Sequence, residues 1–149
     1  VIVAAFLYRR YEDLREGDPI PELQKRPTTQ QLVQWAAASG DFYQIHYDRD
    51  FATRTGLDGV IVHGALKHAW LCDLLYRLVA PAGRVKRVTC SYRGMDVPEQ
   101  SFTLRGRVTK KFREGDEGCL EIEIWGENAD GQKTTPGSGI VTLPLRASG

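Results

Sequence analysis

The sequence predicts an α+β domain in which an antiparallel sheet wraps around one long central helix. Three observations carry that prediction. Near residue 84 the hydrophobic period changes from helical to alternating, so helices fill the first half and strands the second. One first-half helix is apolar on most of its circumference and must therefore be buried. The strands have one apolar face each, and a single helix is enough to cover it.

The elements follow in order. Val1-Ile2-Val3-Ala4-Ala5-Phe6-Leu7 is an apolar run that Arg9 and Arg10 follow instead of precede, the wrong polarity for a secretory signal. It falls well short of the roughly 20 residues that span a bilayer, and reads as an edge strand, a docking segment, or a flexible or foreign extension. Residues 11–27 are polar and broken by Gly17, Pro19, Pro21 and Pro27, a loop leading into a short strand. Thr28 or Thr29 caps a helix over residues 30–39, where Leu32, Val33, Trp35, Ala36 and Ala37 form one apolar stripe, and Gly40 ends it. Asp48 caps a second, short helix that runs through Thr55 and is closed by Gly56. The third helix begins near Gly64 and reaches Val79, stopped by Pro81 and Gly83, with only Lys67, His68, Asp73 and Arg77 interrupting its apolar surface.

Residues 85–92, 102–109, 120–125 and 140–143 read as strands. Phe102, Leu104, Gly106 and Val108 alternate with Thr103, Arg105, Arg107 and Thr109, and turn signals stand at Glu114-Gly115-Asp116, Asp130-Gly131 and Pro136-Gly137.

A length of 149 residues suits one domain with a single core, and 42% hydrophobic with 26% charged residues is ordinary for a soluble globular chain. The net charge of +1 gives no bulk electrostatic reason to expect nucleic acid or an anionic membrane as partner. Arg84, Lys86 and Arg87 can meet phosphates, but basic residues on a strand are usually its solvated face. Cys72, Cys90 and Cys119 are odd in number and far apart, which argues against a disulfide framework or a structural zinc site. They read as small core thiols in a reducing, cytoplasmic setting. His63 and His68 lie five apart with no His-Glu pair on a helix, a poor metal site, so no metal is expected.

The chemistry concentrates in Ser39-Gly40-Asp41-Phe42-Tyr43-Gln44-Ile45-His46-Tyr47-Asp48 and in Val62-His63-Gly64. Asp41 and His46 stand five apart in a linker between two helices, where a tight loop can bring them to one pocket wall. A carboxylate and an imidazole placed so can hold one water, the first taking its proton while the second supplies one elsewhere. An imidazole suits such transfer at neutral pH. Gly64 opens the buried helix, where free N–H groups and the positive helix end can stabilise an oxyanion, and its missing side chain lets a carbonyl oxygen approach. Plainer roles exist: Asp41 as a turn residue, His46 as a hydrogen-bonded structural histidine, His63 in a backbone role ahead of the helix, Lys67 and His68 as polar helix surface.

The same residues carry a resemblance. Ser39-Gly40-Asp41 through His46-Tyr47-Asp48, followed by His63-Gly64, resembles the signature of MaoC-like (R)-specific enoyl-CoA hydratases, S-G-D-x-N-P-[IV]-H-x-D with an H-G pair about 17 residues beyond the catalytic His. Tyr11-Glu12-Asp13-Leu14-Arg15-Glu16-Gly17-Asp18 looks like that family's entry to its first strand, so the similarity runs from about residue 11 to the C-terminal strands. It implies a single hot-dog domain over residues 1–149, pairing as a homodimer or heteromer with another hot-dog subunit. It also implies a thioester substrate carried by coenzyme A or acyl carrier protein, with no separate cofactor. Asp41 would activate water for attack at the β-carbon, His46 would exchange the α-carbon proton, and the Gly64 amide would hold the thioester oxygen. Keeping Asp41, His46 and Gly64 together argues against a non-catalytic partner subunit, and the Asp41–His46 spacing argues against a thioesterase. Two departures stand out: Tyr43-Gln44 replaces Asn-Pro, implying a reshaped wall with a bulky Tyr43, and Lys67-His68 replaces small or apolar residues. Tyr43, His63 and Lys67 are the residues expected to bind the substrate.

Overall fold

The computed structural model describes residues 9–146. The apolar run at residues 1–7, and its reading as a strand or docking segment, lies outside them. The element order is β1 (Leu23–Lys25), α1 (Thr29–Ser39), α2 (Arg49–Arg54), α3 (Gly64–Val79), β2 (Arg84–Cys90), β3 (Phe102–Glu114), β4 (Glu117–Glu127) and β5 (Lys133–Leu143). The strands form one antiparallel sheet in the order β1-β3-β4-β5-β2, curled around α3 as the period change implies. This is the hot-dog arrangement.

Burial explains why the sheet curls on this helix. Trp70, Leu71, Leu74, Leu75 and Leu78 of α3 meet Phe102, Leu104 and Val108 of β3, Leu120, Ile122 and Ile124 of β4, and Val141 of β5 in one core. Each such side chain contributes about 1.5–3 kcal/mol by leaving water. The helix is not buried all round: Ala65 and Tyr76 are exposed, with Ala69 and Cys72 half-buried between them. Outward strand residues pair in ions, Arg105 with Glu22 and Glu127 and Arg107 with Glu123. Exposed pairs of this kind add little stability.

Caps set the helix ends near the site. The Thr28 hydroxyl accepts the Gln31 N–H at 3.1 Å, so Thr28 and not Thr29 caps α1. Gly40, at φ 79°, donates its N–H to Ala36 O and turns the chain out of the helix. Only Leu32 and Ala36 of the expected stripe are fully buried; Val33 and Ala37 face outward, because this short helix touches the core along a narrow line. Asp48 caps α2 through the Phe51 N–H at 2.9 Å.

The strands differ from expectation in three places. Pro136-Gly137 lies inside β5 instead of marking a turn. Pro136 opposes Trp125, and Gly137 comes so close to Thr89 O of β2 that only a glycine passes. β3 and β4 extend to a two-residue hairpin at Gly115-Asp116, because a register shift between Val108 and Lys110 breaks the alternation without ending the strand. β2 stops at Cys90, and residues 91–101 cross the start of α3. The isolated turn at Asp130-Gly131 is present, with Gly131 at φ 75°.

Gly137 gives a direct test of the register. A Cβ there would meet a backbone carbonyl and would also stand 3.0 Å from Cys90 Cβ. Gly137→Ala should therefore destabilise the protein by about 1–3 kcal/mol, the usual cost of overpacking, read as a lower urea midpoint.

Candidate active site

Three segments converge at the start of α3. Gly40 delivers the loop that carries Asp41. Its first stretch is tightened by Asp41 N–H to the Ser39 hydroxyl at 3.3 Å and by Tyr43 N–H to Asp41 Oδ1 at 3.3 Å. Residues 44–46 then form a single 3-10 turn, closed by His46 N–H to Tyr43 O at 3.1 Å. This turn supplies the stiffness that a proline would otherwise bring, so replacement of Asn-Pro by Tyr43-Gln44 leaves the loop tight. The segment ahead of α3 is tied back by Ile61 N–H to Ile45 O at 3.1 Å.

Asp41, His46 and His63 each place a ligand-capable atom within 4.8 Å of the other two. That span fits one water making two hydrogen bonds of about 2.8 Å. His46 is 7% exposed, and its Nδ1 lies 2.7 Å from Ile61 O. A carbonyl oxygen only accepts, so Nδ1 carries the proton and Nε2 is the nitrogen left for chemistry. Asp41 is exposed, and its turn contact occupies one carboxylate oxygen. The carboxylate is thus both a turn residue and a free acceptor.

His63 has no exposed surface. Its Nε2 donates to Asp41 O at 3.2 Å, and its ring stacks on His46 with centroids 3.7 Å apart at 20°. Its Nδ1 is buried and has no hydrogen-bond partner among the described residues. His63, read both as a substrate-wall residue and as a residue in a backbone role ahead of the helix, is fully buried here and clamps the Asp41 loop to the start of α3. Two imidazoles on one zinc ion converge on it at about 2.0–2.1 Å. Near-parallel stacked rings do not converge, so the arrangement suits a shared water better than an ion.

Gly64 is the first residue of α3, and its amide has no acceptor within the helix. The Tyr92 ring lies over it: a Cβ on Gly64 would be 2.9 Å from Tyr92 Cε2. Tyr43 is 55% exposed and stands edge-on to His46, with ring centroids 6.4 Å apart. Lys67 is elsewhere. It is 2% exposed, with its ammonium 2.7 Å from Asp96 Oδ2 and 3.0 Å from Gly94 O. Its reading as polar helix surface is corrected, since a charge inside the core must spend itself on a buried partner. Tyr92 and Asp96 were missed because residues 91–101 have no period. One signal was available: a lysine on a buried helix demands a carboxylate. Arg84 and Lys86 are held by Glu117 and Glu114.

Residues 14–123 match the model of the MaoC-like domain. The chain belongs to the MaoC-like family of hydratases and dehydratases. Its fold is similar to the (R)-hydratase from A. caviae involved in PHA biosynthesis, with a TM-score of 0.81, 26% identity, and coverage of 89% of this chain and 99% of that one. R-hydratase PhaJ1 from Pseudomonas aeruginosa has a TM-score of 0.82 at 20% identity, covering 92% and 86%. The ChsH1–ChsH2 complex from Mycobacterium tuberculosis has 0.76 at 20%, covering 87% and 98%. By sequence, 73 residues are 41% identical to the fatty acid synthase beta subunit TOXC of Cochliobolus carbonum. That match spans 48% of this chain and only 4% of the much longer relative.

Burial, and then the neighbouring His46, hold the His63 pKa below its ordinary 6.5. The unfolded chain therefore takes up this proton first. Its contribution to stability is complete above about pH 6.5 and is lost as pH falls from there through the folded value. His63→Gln should flatten the fall in urea midpoint between pH 7 and 5, and ring NMR should find His63 titrating below 6.5.

Proposed function

We propose that the protein adds water reversibly to a trans-2-enoyl thioester, giving the (R)-3-hydroxyacyl thioester. The observation that carries this is the Asp41–His46 pair, held within water-sharing distance and facing the amide end of α3. In the forward direction the water oxygen bonds to the β-carbon as Asp41 takes its proton. Protonated His46 gives the Nε2 proton to the α-carbon, while the Gly64 N–H holds the thioester oxygen as charge collects on it. Because Nδ1 stays bonded to Ile61 O in both states, only Nε2 exchanges a proton. The proton then returns from Asp41 to His46 directly or through solvent, and no step calls for a separate cofactor.

The acyl group would be carried by coenzyme A or acyl carrier protein. A second hot-dog subunit, identical or different, is the partner we assign. The largely exposed edge strand β2, paired on one side only by β5, supports this, as does the likeness to one chain of the ChsH1–ChsH2 complex. Three free cysteines suit a reducing compartment such as the cytoplasm. No helix among the described residues is long and apolar enough to cross a membrane.

The test is hydration of crotonyl-CoA and several longer or bulkier enoyl-CoAs, followed by loss of the conjugated thioester absorbance. Asp41→Asn and His46→Ala should each lower turnover at least about 100-fold, the scale of a lost general acid or base, with folding intact. Full activity in both folded variants would overturn the assignment, as would an (S) product.

A further inference from the structure

The buried pair of Lys67 and Asp96 has no part in the chemistry described, yet it lies one helical turn inside the start of α3. Side-chain exposures of 2% and 5% put both charges out of water. Stability does not account for such a pair, because apolar residues of similar volume often do as well or better. The pair has a defined place in the chain's connectivity. Lys67 Nζ donates to Asp96 Oδ2 at 2.7 Å, and Asp96 O accepts the Val62 N–H at 2.8 Å. From Val62 the chain runs through His63 and Gly64 back to Lys67. The result is a closed ring of covalent and hydrogen bonds with the Gly64 amide inside it.

The same ring holds the loop that carries Tyr92. Lys67 also donates to Gly94 O at 3.0 Å, and its ammonium is 5.9 Å from the Tyr92 ring centre. Thr134 of β5 donates its hydroxyl to Asp96 at 2.8 Å, and its carbonyl accepts the N–H groups of Arg93 at 2.8 Å and Gly94 at 3.1 Å. Gly94 must be a glycine here, since a Cβ would stand 2.9 Å from Thr134 Cγ2. The Lys67–Asp96–Thr134 set therefore fixes two things together: the direction of the Gly64 N–H and the place of the Tyr92 ring over it.

We infer that Lys67, Asp96 and Thr134 are positioning residues that align the Gly64 amide with the developing oxyanion, so that they govern turnover and not substrate affinity. This rests on the hydratase reading. A donor that strengthens its bond only as charge develops affects kcat, whereas ground-state binding is carried by other contacts. Small misplacements of such a donor are costly, with about 1 Å worth about 100-fold.

The experiment compares Lys67→Met, the double variant Lys67→Met/Asp96→Leu, and Thr134→Val, with kcat corrected for the folded fraction from near-UV circular dichroism. Lys67→Met leaves a buried charge unpaired and can fail to fold; the double variant removes both charges, and Thr134→Val keeps the ion pair. In the folded variants kcat should fall about 10- to 100-fold for the first two and about 3- to 10-fold for Thr134→Val, with KM within about threefold of wild type. Wild-type kcat in the folded double variant and in Thr134→Val overturns the inference, as does a loss confined to KM. Amide hydrogen exchange tests the network without activity. Exchange should quicken over residues 61–66 and 91–96 while β3, β4 and β5 stay protected; unchanged exchange overturns it. A wild-type protein that hydrates no enoyl thioester would count against the hydratase reading, and exchange would still decide the network.

Discussion

The start of α3 is the constraint on which the site depends. A helix wrapped by a sheet has its first amides fixed wherever the core fixes its body, and here Leu66, Trp70, Leu71, Leu74 and Leu75 fix that body. The N–H groups at its head cannot be satisfied within the helix, so the surrounding chain must leave them a use. Two loops come to that point from opposite sides. One brings Asp41 and His46, bound through Ile61 and His63; the other brings Tyr92 and Asp96, bound through Val62 and Lys67. The residues 61–64 between them are tied both ways, which is how a segment without regular structure holds three groups in register.

The two histidines divide the work by their environments. Both ring systems are buried and stacked, but each has one nitrogen spent on a backbone carbonyl. His46 keeps its free nitrogen at the site, beside an exposed carboxylate. His63 is sealed, and burial disfavours its charged form, so a ring biased towards neutrality lies against the one to which the proposed mechanism assigns proton exchange. A sealed neutral neighbour can orient His46 without competing with it for protons.

Much of this was legible in the sequence, for identifiable reasons. The buried helix was visible because an apolar surface around most of a helix has few other uses, and the strands because alternation survives wherever one face meets the core. The nearness of Asp41 to His46 and the place of Gly64 at a helix start were legible because chain-local spacing and the helix boundary set them. Lys67 was misread because spacing along a helix reports direction and not what occupies that direction. Its partner Asp96 lies 29 residues away in a segment with no period. Pro136-Gly137 was misread for a related reason: the pair has turn chemistry, but packing against Thr89 and Cys90 decides its conformation.

The hairpin joining β3 and β4 ends in Gly115-Asp116, two exposed residues, with Gly115 at φ 58°. The rung beside it is braced by the contacts of Glu114 and Glu117 with Lys86 and Arg84, so the order of the strands does not rely on the tip itself. Exposed polar tips are where chains tolerate added residues. This tip is therefore a natural handle: a peptide tag or fluorophore spliced between these residues would leave both chain ends untouched and would stand on a hairpin braced by ion pairs.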